Sequence, residues 1–276
     1  VIERDQDGTL HVVALSGGHD STALAFLLRE REPRPYCYLC TPTGDELPEM
    51  FDHWRRLGEL LGRRLIPIMQ TEHPGLFAWS RHKKLIPNRT KRHCTPGLKI
   101  EPFVAWLQAQ LSFGPVVAYV GLRADEEARA GGAYGAIDGI ELRYPLREWG
   151  FDDPMVHGTL ARLGITVPDR TDCARCYHQQ LGEWWRLWKD HRALFIEAVE
   201  FEAEMGQTFR TPKLESGEPV MVTRYGLTYA ACWRDTWPVR LGDMMTLFEA
   251  GHVPMNRGDP RARDLLKVGA CRVCSL

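Results

Sequence analysis

The seven residues Ser16-Gly17-Gly18-His19-Asp20-Ser21-Thr22 hold the densest chemistry in the chain. Two adjacent glycines let a backbone turn sharply and approach a ligand closely. N–H groups at a helix start lack partners and carry partial positive charge, so a turn running into a helix suits a phosphate or pyrophosphate. Ser16, Ser21 and Thr22 add hydroxyl donors, and Asp20 adds a carboxylate suited to Mg²⁺ beside the phosphates. The pattern G-x-x-x-x-G-K-[ST] is absent, which excludes the common P-loop. A glycine turn with Ser/Asp capping accounts for S-G-G alone. The full S-G-G-x-D-S string, set between a strand and a helix, favours the phosphate site.

Further chemistry lies in the cysteines and in one basic stretch. Cys173-x-x-Cys176 and Cys271-x-x-Cys274 read as two chelating turns. Four thiolates make a closed Zn²⁺ site or hold a [4Fe–4S] cluster, and spacing does not separate the two. A shared metal would pin a chain end that otherwise frays. Cys37 and Cys40 share the spacing but lie in a strand, where residues three apart face opposite sides; they read as core. Cys232 reads as a buried thiol.

Trp79–His93 carries Arg81, Lys83, Lys84, Arg89, Lys91 and Arg92, with no Asp or Glu between Glu72 and Glu101. It reads either as a solvated loop or as a loop facing a phosphorylated nucleotide or nucleic acid. Cys94 follows it. Basic neighbours would lower its pKa and make it a nucleophile; the alternative is a small buried residue.

The elements that position these groups follow from hydrophobic spacing. Strands are expected at 11–16, 35–41, 64–69 and 115–121, and helices at 21–31, 47–62, 98–111 and 154–164. Asp45-Glu46-Leu47-Pro48-Glu49 supplies the acidic residues and proline of a helix start. This βαβα order implies an α/β, doubly wound, mostly parallel sheet covered on both faces. Ligands in such folds bind at the carboxyl ends of the strands. Ser16–Thr22, Thr41–Gly44 and Gly121–Asp125 all fall at such ends.

Residues 1–170 read as this nucleotide-binding domain, and 171–276 as a helical, Cys-containing C-terminal extension. The extension is expected to hold a Trp-rich helix over about 179–205 and a short helix near 240–250. The segment Glu183-Trp184-Trp185-Arg186-Leu187-Trp188, with Leu181, Leu194 and Phe195, gives an apolar helix face that reads as core rather than as a base-stacking platform.

The chain has 276 residues, enough for one large domain or a domain with an appendage. A net charge of −1 excludes a strongly cationic surface but not a local basic patch. No apolar stretch approaches the ~20 residues that span a bilayer. Eight cysteines without a secretion signal favour a cytoplasmic location and metal or redox roles over structural disulfides. The ten histidines include no H-E-x-x-H pattern, and His19, at the variable position of the loop, has no assigned role.

Several motifs in order carry a resemblance. Ser16–Ser21 resembles the pyrophosphate loop of the N-type ATP pyrophosphatases. Thr43-Gly44-Asp45-Glu46-Leu47-Pro48-Glu49 resembles the T-G-x-E-x-P-E stretch of the phosphoadenosine phosphosulfate (PAPS) reductase-like members. Cys94-Thr95-Pro96-Gly97-Leu98-Lys99-Ile100-Glu101-Pro102 resembles their C-T-x-x-L-K-I-x-P, and Gly121-Leu122-Arg123-Ala124-Asp125-Glu126 their G-x-R-x-D-E. Glu127 stands where the family usually has Ser.

The resemblance implies an adenine nucleotide α-hydrolase-like fold. It implies nucleotide contacts from Ser16, Gly17, Gly18, Asp20, Ser21, Thr22, Thr43, Gly44 and Arg123, and substrate contacts from Arg92, Lys99 and Arg129. Asp20, Lys99, Arg123 and Cys94 become the catalytic candidates. For Cys173, Cys176, Cys271 and Cys274 it favours the [4Fe–4S] cluster over Zn²⁺. Dedicated sulfonucleotide reductases usually carry a degenerate first loop and an E-C-G tail; here the loop is intact and the tail is Cys271-Arg272-Val273-Cys274-Ser275-Leu276.

The leading expectation is therefore an ATP–Mg²⁺-dependent enzyme that transfers AMP to an acceptor and releases pyrophosphate. A sulfur-donor protein and a nucleic-acid acceptor, met through 81–93, are the implied partners. A sulfonucleotide reductase that releases sulfite, and a non-catalytic nucleotide-binding subunit, are the alternatives.

Overall fold

Leu10-His11-Val12-Val13-Ala14 is buried at every position, as a strand must be when both faces of its sheet are covered. In the computed structural model this segment is the central strand. The structure describes residues 2–88, 91–126, 137–210 and 238–254. In chain order the first elements are β1 (Leu10–Ala14), α1 (His19–Arg31), β2 (Tyr36–Cys40), α2 (Pro48–Leu61), β3 (Ile66–Pro67) and α3 (Gly75–Lys83). Then come α4 (Glu101–Gln110), β4 (Val116–Tyr119), β5 (Ile140–Arg143), α5 (Pro145–Glu148), α6 (Asp153–Arg162), α7 (Leu181–Asp190), α8 (Arg192–Met205) and α9 (Leu241–Glu249).

The sheet order is β3-β2-β1-β4-β5, and every neighbouring pair is parallel. Val12 sits opposite Cys37 on one side and Ala118 on the other. The period of two sorts the strand side chains cleanly. Val13, Tyr36, Tyr38 and Tyr119 join the core formed with α1, α2 and α6, through Leu24, Leu28, Leu57 and Leu160. Leu10, Val12, Cys37, Leu39 and Ala118 join the opposite core, with Phe103 and Leu107 of α4. Cys37 and Cys40 are both buried in β2. Because β2 and β4 flank β1 on opposite sides, the chain changes direction between β1 and β4. The crevice at their carboxyl ends is the topological switch point where such sheets bind ligands.

Several expectations are corrected. The third strand shrinks from 64–69 to Ile66–Pro67, since proline cannot donate to a ladder. β5 was not expected: four residues with alternating charge carry little strand signal. The helix expected over 98–111 opens as a π-helical turn, Pro96–Ile100, before α4. Part of the basic stretch expected as loop is helical, in α3. The helix expected over 179–205 breaks at His191 (φ −132°, ψ 57°) into α7 and α8.

The chain divides into two units. Among the described residues, the first holds those of Val1–Gly75 and Thr95–Asp172 and contains the sheet. The second holds those of Leu76–Cys94 and Cys173–Leu266. Within it the break at His191 folds α7 and α8 onto a shared aromatic core. Trp184 meets Phe195 edge-on with ring centroids 6.4 Å apart, and Phe77 stacks on Phe201 at 4.0 Å. The α7 N-terminus is closed by a capping box, in which the Gln180 N–H donates to Glu183 at 2.6 Å. Among the described residues no helix is long and apolar enough to cross a membrane.

Candidate functional site

The loop after β1 is braced from within and held from behind. Gly17 adopts φ +90°, a conformation that favours glycine, and Gly18 is the N-cap of α1. The Ser16 and Ser21 hydroxyls lie 3.0 Å apart, and Ser21 Oγ donates to the Gly18 carbonyl at 3.2 Å. The Gly17 N–H donates to Ser21 Oγ at 3.2 Å. These serines, expected as ligand donors, thus act first as struts of the loop. Thr22 is fully buried, with its N–H donating to the Gly18 carbonyl at 2.9 Å.

Two residues of α2 complete the brace, and the sequence reading gave neither a role at the loop. Trp54 Nε1–H donates to the Ser16 carbonyl at 2.9 Å, and His53 Nε2–H to the Gly17 carbonyl at 3.0 Å. Burial lowers the His53 pKa, so the ring stays a neutral donor. Holding both carbonyls on the α2 side leaves the first turn of α1, whose N–H groups have no intrahelical partner, as the anion-facing element. The only sequence signal was that His53 and Trp54 lie on a helix with a clear apolar face.

Gly121, after β4, closes the other side. A Cβ there would lie 3.1 Å from the Ser21 nitrogen and 3.2 Å from the Asp20 carbonyl carbon. A side chain there would require the loop backbone to give by a few tenths of an ångström.

Asp20 and Arg123 are brought together: Arg123 Nη1 lies 3.0 Å from both Asp20 oxygens. Arg123 also meets Asp125 at 3.0 Å, Asp153 at 3.2 Å and Glu126 at 4.0 Å. Arg147 holds this segment by donating to the Arg123 and Glu126 carbonyls at 3.2 and 2.7 Å. Burial raises the Asp20 pKa, and the Arg123 charge and hydrogen bonds pull it back. The guanidinium therefore sits where the carboxylate was expected to hold Mg²⁺. A carboxylate beside a helix N-terminus and a phosphate cradle is a donor set that fits Mg²⁺.

Thr43 and Gly44 follow β2. The Thr43 N–H and hydroxyl donate to Glu46 Oε1 at 2.6 and 2.7 Å, which shapes this turn. A groove of about 830 Å³ runs from Pro42 and Gly44 past Phe51 and Trp54 to Leu65 and Met69. Trp54 is thus common to the groove and the loop brace. Lys99 is buried in the π-helical turn ahead of α4.

Arg92, Cys94, Cys173 and Cys176 lie in the second unit. Arg92 is exposed and Cys94 half-buried. The basic stretch is partly neutralised: Arg81 pairs with Glu204 through two contacts of 2.6 and 2.8 Å, and Lys83 lies over the Trp79 ring at 4.5 Å. Cys173 and Cys176 share one tight turn, with the Cys176 N–H donating to the Cys173 carbonyl at 3.2 Å. Arg89, Glu127, Arg129, Cys232, Cys271 and Cys274 lie outside the described residues. Among the described residues, no group of three or more His, Cys, Asp and Glu side chains is arranged to hold a metal ion.

The fold is a parallel α/β sheet with the S-G-G-x-D-S segment at its switch point. The structure is similar to phosphoadenylyl-sulfate (PAPS) reductase from Candida auris in its phosphate complex, with a TM-score of 0.42 and 14% identity over 58% of this chain and 74% of that one. It is similar also to the U34-tRNA thiolase NcsA from Methanococcus maripaludis with its [4Fe-4S] cluster, with a TM-score of 0.42 and 14% identity over 75% of this chain and 74% of that one. No protein-family model and no curated protein matches the chain.

Proposed function

We propose that the chain is a PAPS reductase-like ATP pyrophosphatase. It binds ATP–Mg²⁺ at Ser16–Thr22 and transfers AMP to an acceptor in sulfur transfer to a nucleic acid or nucleotide. The observation that carries this reading is the loop itself. Its carbonyls are tied back to His53 and Trp54, and its helix start opens at the switch point beside Asp20 and Arg123.

In this reading Ser16, Gly17, Gly18, Ser21 and Thr22 shape the cradle for the β,γ-phosphates, and Thr43 and Gly44 border the nucleotide. Asp20 would hold Mg²⁺, which would supply charge neutralisation at the phosphates. Arg123 leaves Asp20 for the phosphates, where its guanidinium suits two oxygens at once. A nucleophilic atom of the acceptor bonds to the α-phosphorus. The bond from that phosphorus to the bridging oxygen breaks, and its electron pair departs with pyrophosphate. Arg123 and Lys99 offset the charge that builds as this happens.

Arg92 and Arg129 are the residues proposed to bind the acceptor, with 81–93 as the segment that meets a nucleic-acid acceptor. A sulfur donor, acting through Cys94 or a cluster, then attacks the adenylated carbon of the acceptor, and AMP leaves with the electron pair of the broken bond. Cys173 and Cys176, with Cys271 and Cys274, would hold a [4Fe–4S] cluster or Zn²⁺.

The test is AMP–pyrophosphate exchange. Wild-type protein with its acceptor should exchange labelled pyrophosphate into ATP, and Asp20→Ala should abolish this. Exchange that persists in Asp20→Ala removes the loop assignment. ATP binding without turnover, whatever the acceptor, would instead mark a non-catalytic nucleotide-binding subunit.

A further inference from the structure

Arg123 is held from three sides. On α1, both Asp20 oxygens lie 3.0 Å from Nη1. On α6, Asp153 Oδ1 reaches the same nitrogen at 3.2 Å. Within its own segment, Asp125 Oδ1 accepts from Nε at 3.0 Å. Asp125 Oδ2 lies 3.5 Å from Nη2, and Glu126 Oε1 lies 4.0 Å from it. Every nitrogen of the guanidinium therefore faces a carboxylate. The main chain beneath it is tied separately. The Ala124 N–H donates to the Phe151 carbonyl at 2.8 Å, and Arg147 holds the Arg123 and Glu126 carbonyls. None of these ties uses the guanidinium, so the side chain can turn away while its segment stays in place.

The four carboxylates are not equivalent. Asp20 and Arg123 have parts in the proposed phosphate chemistry; Asp125 and Asp153 have none. The Arg123 side chain is only 14% exposed, whereas Asp125 and Asp153 are 43% and 40% exposed. Removing either outer carboxylate thus leaves no buried charge unpaired, because Asp20 still meets Arg123.

We propose that Asp153 and Asp125 are positioning residues that park Arg123, an autoinhibitory contact that a polyphosphate must break to bind. This rests on the reading of the loop as a nucleotide site. A phosphate at the first turn of α1 competes with the carboxylates for the guanidinium, whose planar fork suits either kind of oxygen pair. Each carboxylate on Arg123 lowers the gain from that exchange, and each also repels the incoming anion. The two effects differ in reach. Repulsion acts from any nearby charge, but the hold acts only from a carboxylate in contact with Arg123.

Asp152 supplies the control. It is the N-cap of α6, accepts the Met155 N–H at 3.0 Å, and forms no ion pair with Arg123 among the described residues. Asparagine caps as well as aspartate. Asp152→Asn therefore removes the same charge one residue away and keeps the helix start.

Calorimetric titration with inorganic pyrophosphate, without Mg²⁺ and at low salt, reads the hold. Asp153→Asn and Asp125→Asn should each bind about threefold tighter than the wild type or better, and Asp152→Asn within about 1.5-fold of it. The two carboxylates stand on different elements, so a folding defect in one variant leaves the other to decide. Equal tightening in all three variants marks bare repulsion and overturns the hold. Unchanged or weaker binding in Asp153→Asn and Asp125→Asn also overturns it, and leaves the nucleotide reading standing where Mg²⁺–ATP binds the wild type. A wild type that binds neither pyrophosphate nor Mg²⁺–ATP overturns the nucleotide reading and the hold with it.

Discussion

Gly17 shows how narrowly the loop is specified. Besides its φ of +90°, a Cβ at this position would lie 2.7 Å from Trp54 Nε1, the atom that holds the Ser16 carbonyl. Gly17→Ala must strain the backbone and displace the indole together. It should weaken Mg²⁺–ATP binding at least tenfold, about 1.4 kcal/mol, by calorimetry, with the far-UV spectrum unchanged. Asp20 and Arg123 carry a pH signature. Burial raises the Asp20 pKa and Arg123 lowers it, so removing Arg123 raises it further. Mg²⁺ needs the ionised carboxylate. In Arg123→Met, the acid limb of Mg²⁺-dependent ATP binding should therefore move to higher pH; a limb that stays put contradicts the pairing. The motif residues stood out from their types alone as candidates. Their partners were not, because which side chain reaches the Ser16 carbonyl depends on where α2 lands.

At the scale of elements, the strongly patterned segments β1, α1, β2, α2 and α6 could be read from spacing. What escaped did so for physical reasons. β5 pairs with β4 alone at the edge, and Glu141 and Arg143 dilute its apolar signal. α3 was hidden because its basic residues look solvated, whereas Arg81 finds Glu204 far along the chain. The α7–α8 break has no Gly or Pro to announce it; the shared aromatic core sets it.

Glu202 of α8 is equally invisible from sequence. It is buried and accepts the Phe209 and Leu241 N–H groups, each at 2.8 Å. Burial pushes its carboxyl up to about 8, above an ordinary value of 4.5. A raised folded-state pKa means stabilisation that is full below the ordinary value and lost as pH rises through about 8. The Tm of the wild type should carry this fall between those limits, and Glu202→Gln should flatten it. Parallel slopes in the two proteins would contradict the assignment.

For the whole molecule, the α/β architecture was legible, and the topology puts the S-G-G-x-D-S segment at the carboxyl end of β1, beside that of β4. The two-unit division places Leu76–Cys94 with the C-terminal half, a long-range pairing that no local pattern encodes. Cys94 and the Cys173–Cys176 turn thereby belong to one unit, and the loop with Asp20 and Arg123 to the other. The central claim of the proposed function is that the intact loop selects a nucleoside triphosphate. Calorimetric titration of the anaerobically purified protein with ATP–Mg²⁺, PAPS and adenylyl sulfate tests that claim directly. Tight ATP binding with weak PAPS and adenylyl sulfate binding is the expected result. Tight binding of either sulfonucleotide with weak ATP binding would contradict it and make the protein a sulfonucleotide reductase.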